Sequence, residues 1–122
     1  MPFATLIGAE LVSAEPQEVR GRLEWSLERC TIGGVLHGGA LMTLADSVGA
    51  YCAVLNLPPG AGTATIESKT NFFRAVREGF VVAVSTPLHV GRTTIVIQTD
   101  LLDPEGRRVA RVTQTQAVLP PP

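Results

Sequence analysis

The chain has 122 residues, 45% of them hydrophobic, with ten Lys and Arg against eleven Asp and Glu for a formal charge of −1. That length holds one domain and leaves no room for separate catalytic and cofactor modules, and the near-balanced charge argues against a surface built to track nucleic-acid phosphates. A mean hydropathy of +0.25 is high for a small monomer with a wet surface, which points to apolar surface buried against another subunit.

Residues 1–16, MPFATLIGAELVSAEP, carry neither a basic leader nor a sustained apolar stretch, so the expectation is no secretory signal and a cytoplasmic location. Leu11–Ser13 and Val19–Leu27 read as two short strands about a Glu15-Pro16-Gln17-Glu18 turn, the first being equally compatible with a short helix. Thr31–Gly34 is a loop. Ala40–Leu55 is the one substantial helix: Ala, Leu and Met dominate, no Pro occurs before Pro58, and apolar side chains occupy nearly every side. Such a helix is wrapped by protein. Asp46, Ser47 and the glycines interrupt it, so no apolar run of membrane-spanning length exists. Asn56–Gly62, with Pro58-Pro59-Gly60, stops it.

Everything after the helix reads as sheet. Thr63–Arg74 is a strand, and Ala75–Gly79 turns the chain into Phe80–Leu88. His89-Val90-Gly91 turns it again into Thr93–Leu102. Asp103-Pro104-Glu105-Gly106 is a hairpin signal, with Pro at the second turn position and Gly at the fourth. Arg108–Leu119 is the last strand, ahead of an extended Pro120-Pro121-Pro122 end. Long strands with short connections predict an antiparallel meander, and one helix on such a sheet gives an α+β domain over residues 1–122. The helix covers one sheet face; the other needs solvent or a partner.

The candidate chemistry lies between Gly33 and Asp46. Asp46 is the only Asp, Glu, Lys or Arg between Arg29 and Glu67, and it sits in mid-helix among Ala, Leu and Val. Burying an ionised carboxylate costs several kcal/mol unless it is paired. It therefore either faces a cavity or subunit boundary, or is satisfied by neighbouring Ser, backbone or solvent. His37 precedes the helix, and Gly38 and Gly39 occupy its entry. Backbone N–H groups at a helix start have no intrahelical partner, and glycine lets a ligand approach them closely, which suits a carbonyl oxygen gaining negative charge. No Ser–His–acid triad and no GxSxG elbow are present, and two histidines make no zinc site. Cys30 and Cys52 form neither a CxxC nor a metal-like cluster and read as reduced thiols, although their spacing leaves a disulfide open.

Gly34–Ala53, GVLHGGALMTLADSVGAYCA, resembles the signature of hotdog-fold acyl-CoA thioesterases of the phenylacetate-pathway type. The later stretches NFFRAVREG, PLHVGRTT and DPEGRRVARVTQTQAVL are similar to 1,4-dihydroxy-2-naphthoyl-CoA and 4-hydroxybenzoyl-CoA thioesterases. The resemblance covers nearly everything after Glu18. It implies an antiparallel sheet wrapped around the helix, homodimers formed by sheet extension with active sites at their interface, and pairing of dimers into a homotetramer. It implies hydrolysis of an aromatic or medium acyl-CoA without metal or redox cofactor, CoA being part of the substrate.

By position, Asp46 matches the catalytic carboxylate, acting as general base or as nucleophile, and the Gly38 N–H matches the donor to the thioester carbonyl. His37 would orient the thioester or its loop, with Gly39 beside it, and Thr65 falls where relatives carry a Ser or Thr that holds the attacking water. Thr31 stands where relatives often have Asn or Gln, and Ala50 where naphthoyl-CoA relatives have a second polar residue. Arg74, Arg77, His89, Gly91 and Arg92, at strand ends and turns, are candidates for holding CoA phosphates; each is otherwise a solvated surface residue. Phe72 and Phe73 are pocket or core. Two other readings stay open: a hotdog hydratase or dehydratase, and a non-catalytic acyl-CoA binding module, which would not require Asp46.

Overall fold

The computed structural model describes residues 1–122. A short helix α1 (Pro2–Ile7) leads into strands β1 (Glu10–Glu15) and β2 (Glu18–Glu24), followed by a single 3-10 turn at Leu27–Arg29. The long helix α2 (Gly38–Leu55) comes next, and then β3 (Gly62–Phe72), β4 (Phe80–Val90), β5 (Thr94–Leu102) and β6 (Arg108–Leu119). The six strands form one antiparallel sheet in the order β1-β2-β4-β5-β6-β3. Alternating residues of β2, β4, β5 and β6 are buried on the face that wraps α2. This is the α+β hotdog arrangement expected from the sequence.

The core follows from period-two alternation meeting a helix that is apolar on most sides. Val19, Leu23, Val81, Ala83, Ile95, Ile97, Leu101 and Val112 close over Leu41, Leu44, Ala45, Val48, Cys52 and Ala53 of α2. Each large side chain fully buried here contributes about 1.5–3 kcal/mol. The α2 stretch meets the length and hydropathy of a membrane span, yet these packed residues make it the core of a wrapped sheet. On the outer sheet face Arg108 and Arg111 both pair with Asp100, at 3.0 and 2.8 Å. Phe80, Val82, Val84 and Val96 share that outer face, so it mixes apolar with charged side chains. Cys30 and Cys52 are both free thiols, and burial pushes the Cys52 thiol up to about 11, leaving it unreactive at neutral pH.

Several elements differ from the sequence expectation. α1 was not foreseen, because its six residues are too few for a periodic pattern; Pro2 starts it and Gly8, with φ 85°, ends it. Arg29 donates from Nε to the Ile7 carbonyl and so ties α1 to the turn before α2. The first strand is a strand, longer than expected, and β2 stops at Glu24, opposite the first residue of β4, beyond which Gly79 at φ 74° turns out of the extended region while its carbonyl still accepts from the Trp25 N–H. His89 and Val90 belong to β4, so the turn is Gly91–Thr93.

The largest departure concerns topology. β3 pairs with β6, Thr65 opposite Gln116, and not with β4. Ala75–Gly79 is thus a crossing connection between distant strands, and only β4-β5-β6 forms a true meander. Local turn signals fix that two strands are close in sequence, while partner choice is set by which edges remain free once the helix is covered. The Asp103–Gly106 hairpin forms as read: Asp103 Oδ1 accepts from the Glu105 and Arg107 N–H groups at 3.0 and 2.8 Å.

Candidate active site

α2 begins at Gly38, two residues earlier than expected, because His37 caps it. The His37 Nδ1 accepts from the Gly39 N–H at 2.7 Å, so that nitrogen is unprotonated and any proton of the neutral ring sits on Nε2. Next, the Ala40 N–H donates to the His37 carbonyl at 2.9 Å. The Gly38 N–H lies between them without an acceptor in the chain. It is the one donor of this helix entry free for a substrate oxygen. Gly39, by contrast, serves the site through its missing side chain, since a Cβ there would stand 2.9 Å from the imidazole Nδ1.

Gly38 opens onto a cavity of about 390 Å³ whose other walls include Thr31, Leu41, Phe72, Phe73 and Arg74. The Phe72 ring covers Gly38 so closely that a Cβ would meet it at 3.2 Å. Phe72 and Phe73 are half exposed, at 50% and 56%, and are not core. Thr31 therefore sits beside Gly38, with a hydroxyl where a carboxamide would extend further.

Asp46 takes the outward position that the sequence left open. In the single chain it is exposed, although the residues before and after it on the inner side, Ala45 and Val48, are buried. It stands on a helix stripe with Met42 and Val54, which are 44% and 49% exposed. No hydrogen bond or ion pair reaches its carboxylate. Partial loss of hydration against the protein raises its pKa from the ordinary carboxylate value. The sequence treated the helix as enclosed on all sides, whereas one stripe is left open by a single copy of the sheet.

Asp46 lies eight positions after Gly38, which is about 12 Å along a helix axis. The Gly38 N–H points toward the helix N-terminus, away from Asp46. One chain therefore does not aim both groups at a single thioester.

Thr65 stands on the helix-facing side of β3 and donates to Gln116 Oε1 at 2.7 Å. Gln114 donates to the same oxygen at 3.1 Å. The Gln114 carboxamide presses on Gly49, one turn beyond Asp46, where an added Cβ would lie 2.8 Å from Cδ. Two hydrogen bonds thus link Thr65 to Gln114, whose carboxamide packs against the turn of α2 after Asp46. Sequence reading missed both glutamines; a glycine in the middle of an apolar helix was the available signal for a close approach.

None of Arg74, Arg77 and Arg92 forms an ion pair within the chain, whereas Arg20, Arg22, Arg107, Arg108 and Arg111 all do. Arg74 lines the cavity at Gly38, whereas Arg77 lines a separate one with Glu78, Asp103 and Arg107 and donates from Nη1 to the Gly33 carbonyl at 3.4 Å. His89, Gly91 and Arg92 lie at the Val90 end of β4. The length of β4, about 33 Å, keeps the two groups apart in one chain. No three His, Cys, Asp or Glu side chains come together as a metal site.

Residues 33–110 match the thioesterase superfamily. Among curated relatives, the 1,4-dihydroxy-2-naphthoyl-CoA hydrolase of Escherichia coli is 36% identical over 86 residues, 70% of this chain and 63% of that protein. The proofreading thioesterase EntH of Cronobacter sakazakii is 34% identical over 86 residues, with the same shares of 70% and 63%. The matched stretches span 57%, 62% and 63% of three curated relatives, so this chain corresponds to part of their length. A solved thioesterase from Haemophilus influenzae superposes with a TM-score of 0.92 at 26% identity, covering 96% of this chain and 82% of that one. A mutant of the phenylacetic acid degradation protein PaaI from Thermus thermophilus superposes at 0.89 with 26% identity, covering 98% and 100%. With its sheet wrapped around α2 and most of its length matched, the chain belongs to the thioesterase superfamily, in its hotdog-fold branch.

Proposed function

We propose that the protein hydrolyses an acyl-CoA thioester to the free acid and CoA in a homodimer whose sites join Gly38 of one copy to Asp46 of the other. The observation that carries this reading is the pair of uncommitted groups on α2: an N–H without an acceptor at its start, and a carboxylate without a partner on its open stripe. A thioester oxygen held by the Gly38 N–H becomes an oxyanion when the carbon is attacked. Asp46, with its pKa raised, takes a proton from water as general base, and the same proton leaves on the CoA sulfur. Attack by the carboxylate itself, giving an anhydride that water opens, uses the same placement. Thr65 holds the attacking water, and His37 keeps the helix entry in place.

The second copy is supported by the edge strand. β3 is exposed along nearly its whole length, including Ile66 at 59%, and an open edge of this kind is a template for pairing with another chain. An aromatic or medium acyl group is supported by Phe72, Phe73 and Leu41 around the cavity beside Gly38 and by the naphthoyl-CoA and phenylacetic acid relatives. A non-catalytic module gives no reason to keep a partly desolvated, unpaired carboxylate on this helix.

Free-thiol release from benzoyl-, phenylacetyl-, naphthoyl- and straight-chain CoA tests the reading. Turnover of aromatic members is expected, and no turnover across the panel sinks it. Arg74 beside Gly38 and Arg77 on the following connection hold CoA phosphates, and His89, Gly91 and Arg92 reach the nucleotide across a subunit boundary. Replacing Arg74 by Ala is expected to raise KM for acyl-CoA about tenfold. The KM of the matching pantetheine thioester, which lacks the nucleotide, stays unchanged; an equal rise in both would remove Arg74 from phosphate binding.

A further inference from the structure

A buried hydrogen-bond chain behind Thr65 has a direction fixed at one end. The Ala117 carbonyl can only accept, and it takes the Thr63 hydroxyl proton at 2.8 Å. Thr63 Oγ1 is then left with lone pairs for the Gln116 Nε2 donor at 3.1 Å. This places the amide nitrogen of Gln116 toward Thr63 and its oxygen toward Thr65. The Thr65 hydroxyl proton is therefore committed inward, to Gln116 Oε1 at 2.7 Å. Gln114 Nε2 adds a second donor to that oxygen at 3.1 Å. The same orientation leaves Gln114 Oε1 buried without a donor, and flipping that amide would set two carbonyl oxygens against each other. Gln116 and Gln114 are 1% and 0% exposed, so water does not compete for these bonds.

With its proton held inside, Thr65 faces outward with lone pairs alone. From this geometry we infer that Gln116 is a positioning residue: by holding the Thr65 proton it makes Thr65 a pure acceptor toward the attacking water. A water bound there donates one hydrogen to Thr65 and the other to Asp46, which turns its lone pair toward the thioester carbon. Without Gln116 the Thr65 hydroxyl can donate to the water instead, and that lone pair is consumed. This inference rests on the thioesterase reading and on Thr65 as the water-holding residue.

A double-mutant cycle on the full-length protein tests it, with the preferred acyl-CoA of the panel as substrate. Gln116→Met removes the acceptor at similar volume and is expected to lower kcat about tenfold with KM unchanged. Thr65→Val is expected to lose a similar factor. In the Thr65→Val background, Gln116→Met then has less than about a twofold further effect. Gln116→Glu, whose protonated carboxyl offers an acceptor to Thr65 and a donor to Thr63, is expected to restore kcat to within about threefold. Where Gln116→Met does not fold, Thr63→Val frees the amide to rotate and enters the same cycle.

Equal losses from the Gln116 change in both backgrounds overturn the inference, because a merely structural role does not depend on Thr65. Loss in Thr65→Val with full kcat in Gln116→Met overturns it while leaving Thr65 in place. Full kcat in Thr65→Val removes the Thr65 assignment and this inference together. Full kcat in Asp46→Asn is a separate failure, that of the proposed mechanism.

Discussion

Replacing Asp46 by Asn is expected to lower kcat for acyl-CoA hydrolysis by about 10²–10⁴-fold, the range over which a positioned general base acts, with ligand binding and assembly retained. The amide keeps the volume and loses the basic lone pair. Its effect on stability has the opposite sign. Desolvation raises the Asp46 pKa in the folded chain, so the native state holds the proton more tightly than the unfolded state does. Stability from this group is greatest below the unfolded-state value and declines as pH rises through the higher folded value. At neutral pH the charge is a burden that Asn lacks, and the Tm of the variant is expected to equal or exceed that of the parent. The same direction moves the acidic limb of kcat/KM upward from where an ordinary Asp would place it. Thiol release by Asp46→Asn at the parental rate would defeat the assigned role, and a fall in Tm would defeat the account of its pKa.

Gly49→Val is expected to destabilise the fold by about 3 kcal/mol, a large overpacking effect, read as a Tm lower by ~10 °C. The reason is local. A Cβ on this turn would overlap the Gln114 carboxamide, reaching its Cδ at 2.8 Å. Gln114 is fully buried and donates to Gln116, so its end cannot swing into solvent. The displaced amide would also disturb the oxygen that receives the Thr65 proton. Gly49→Ala is expected to show a smaller loss, and shortening the opposing side chain in Gly49→Ala/Gln114→Ala should recover part of it. A Gly49→Val protein as stable as the parent would show that β6 shifts away freely from α2.

The two effects differ in how visible their causes are along the chain. Asp46 announces itself because one carboxylate among Ala, Leu and Val is a chemical anomaly within a single helix. His37, Gly38 and Gly39 are legible for the same reason: capping and free N–H groups are properties of consecutive residues. The strand–turn pattern of β4, β5 and β6 is equally local, and Asp103–Gly106 closes its hairpin with its own side chain. Gln114 and Gln116 have no such signature. In Thr113-Gln114-Thr115-Gln116 every residue is polar, so alternation does not say which side chains face inward.

The sequence by itself determined the class of fold, the apolar helix at its centre and the two chemically unusual points on that helix. Local hydrogen bonding, helix periodicity and the energetic penalty on a lone charge decide those features, and each acts over a few residues. Tertiary structure alone decided that β3 lies beside β6, that Asp46 sits on the stripe one sheet leaves open, and that the two arginine groups occupy opposite ends. It alone placed the glutamines behind Thr65. These depend on which edges and gaps remain once the core has closed, a condition set by residues more than fifty positions apart in the case of Thr63 and Gln116.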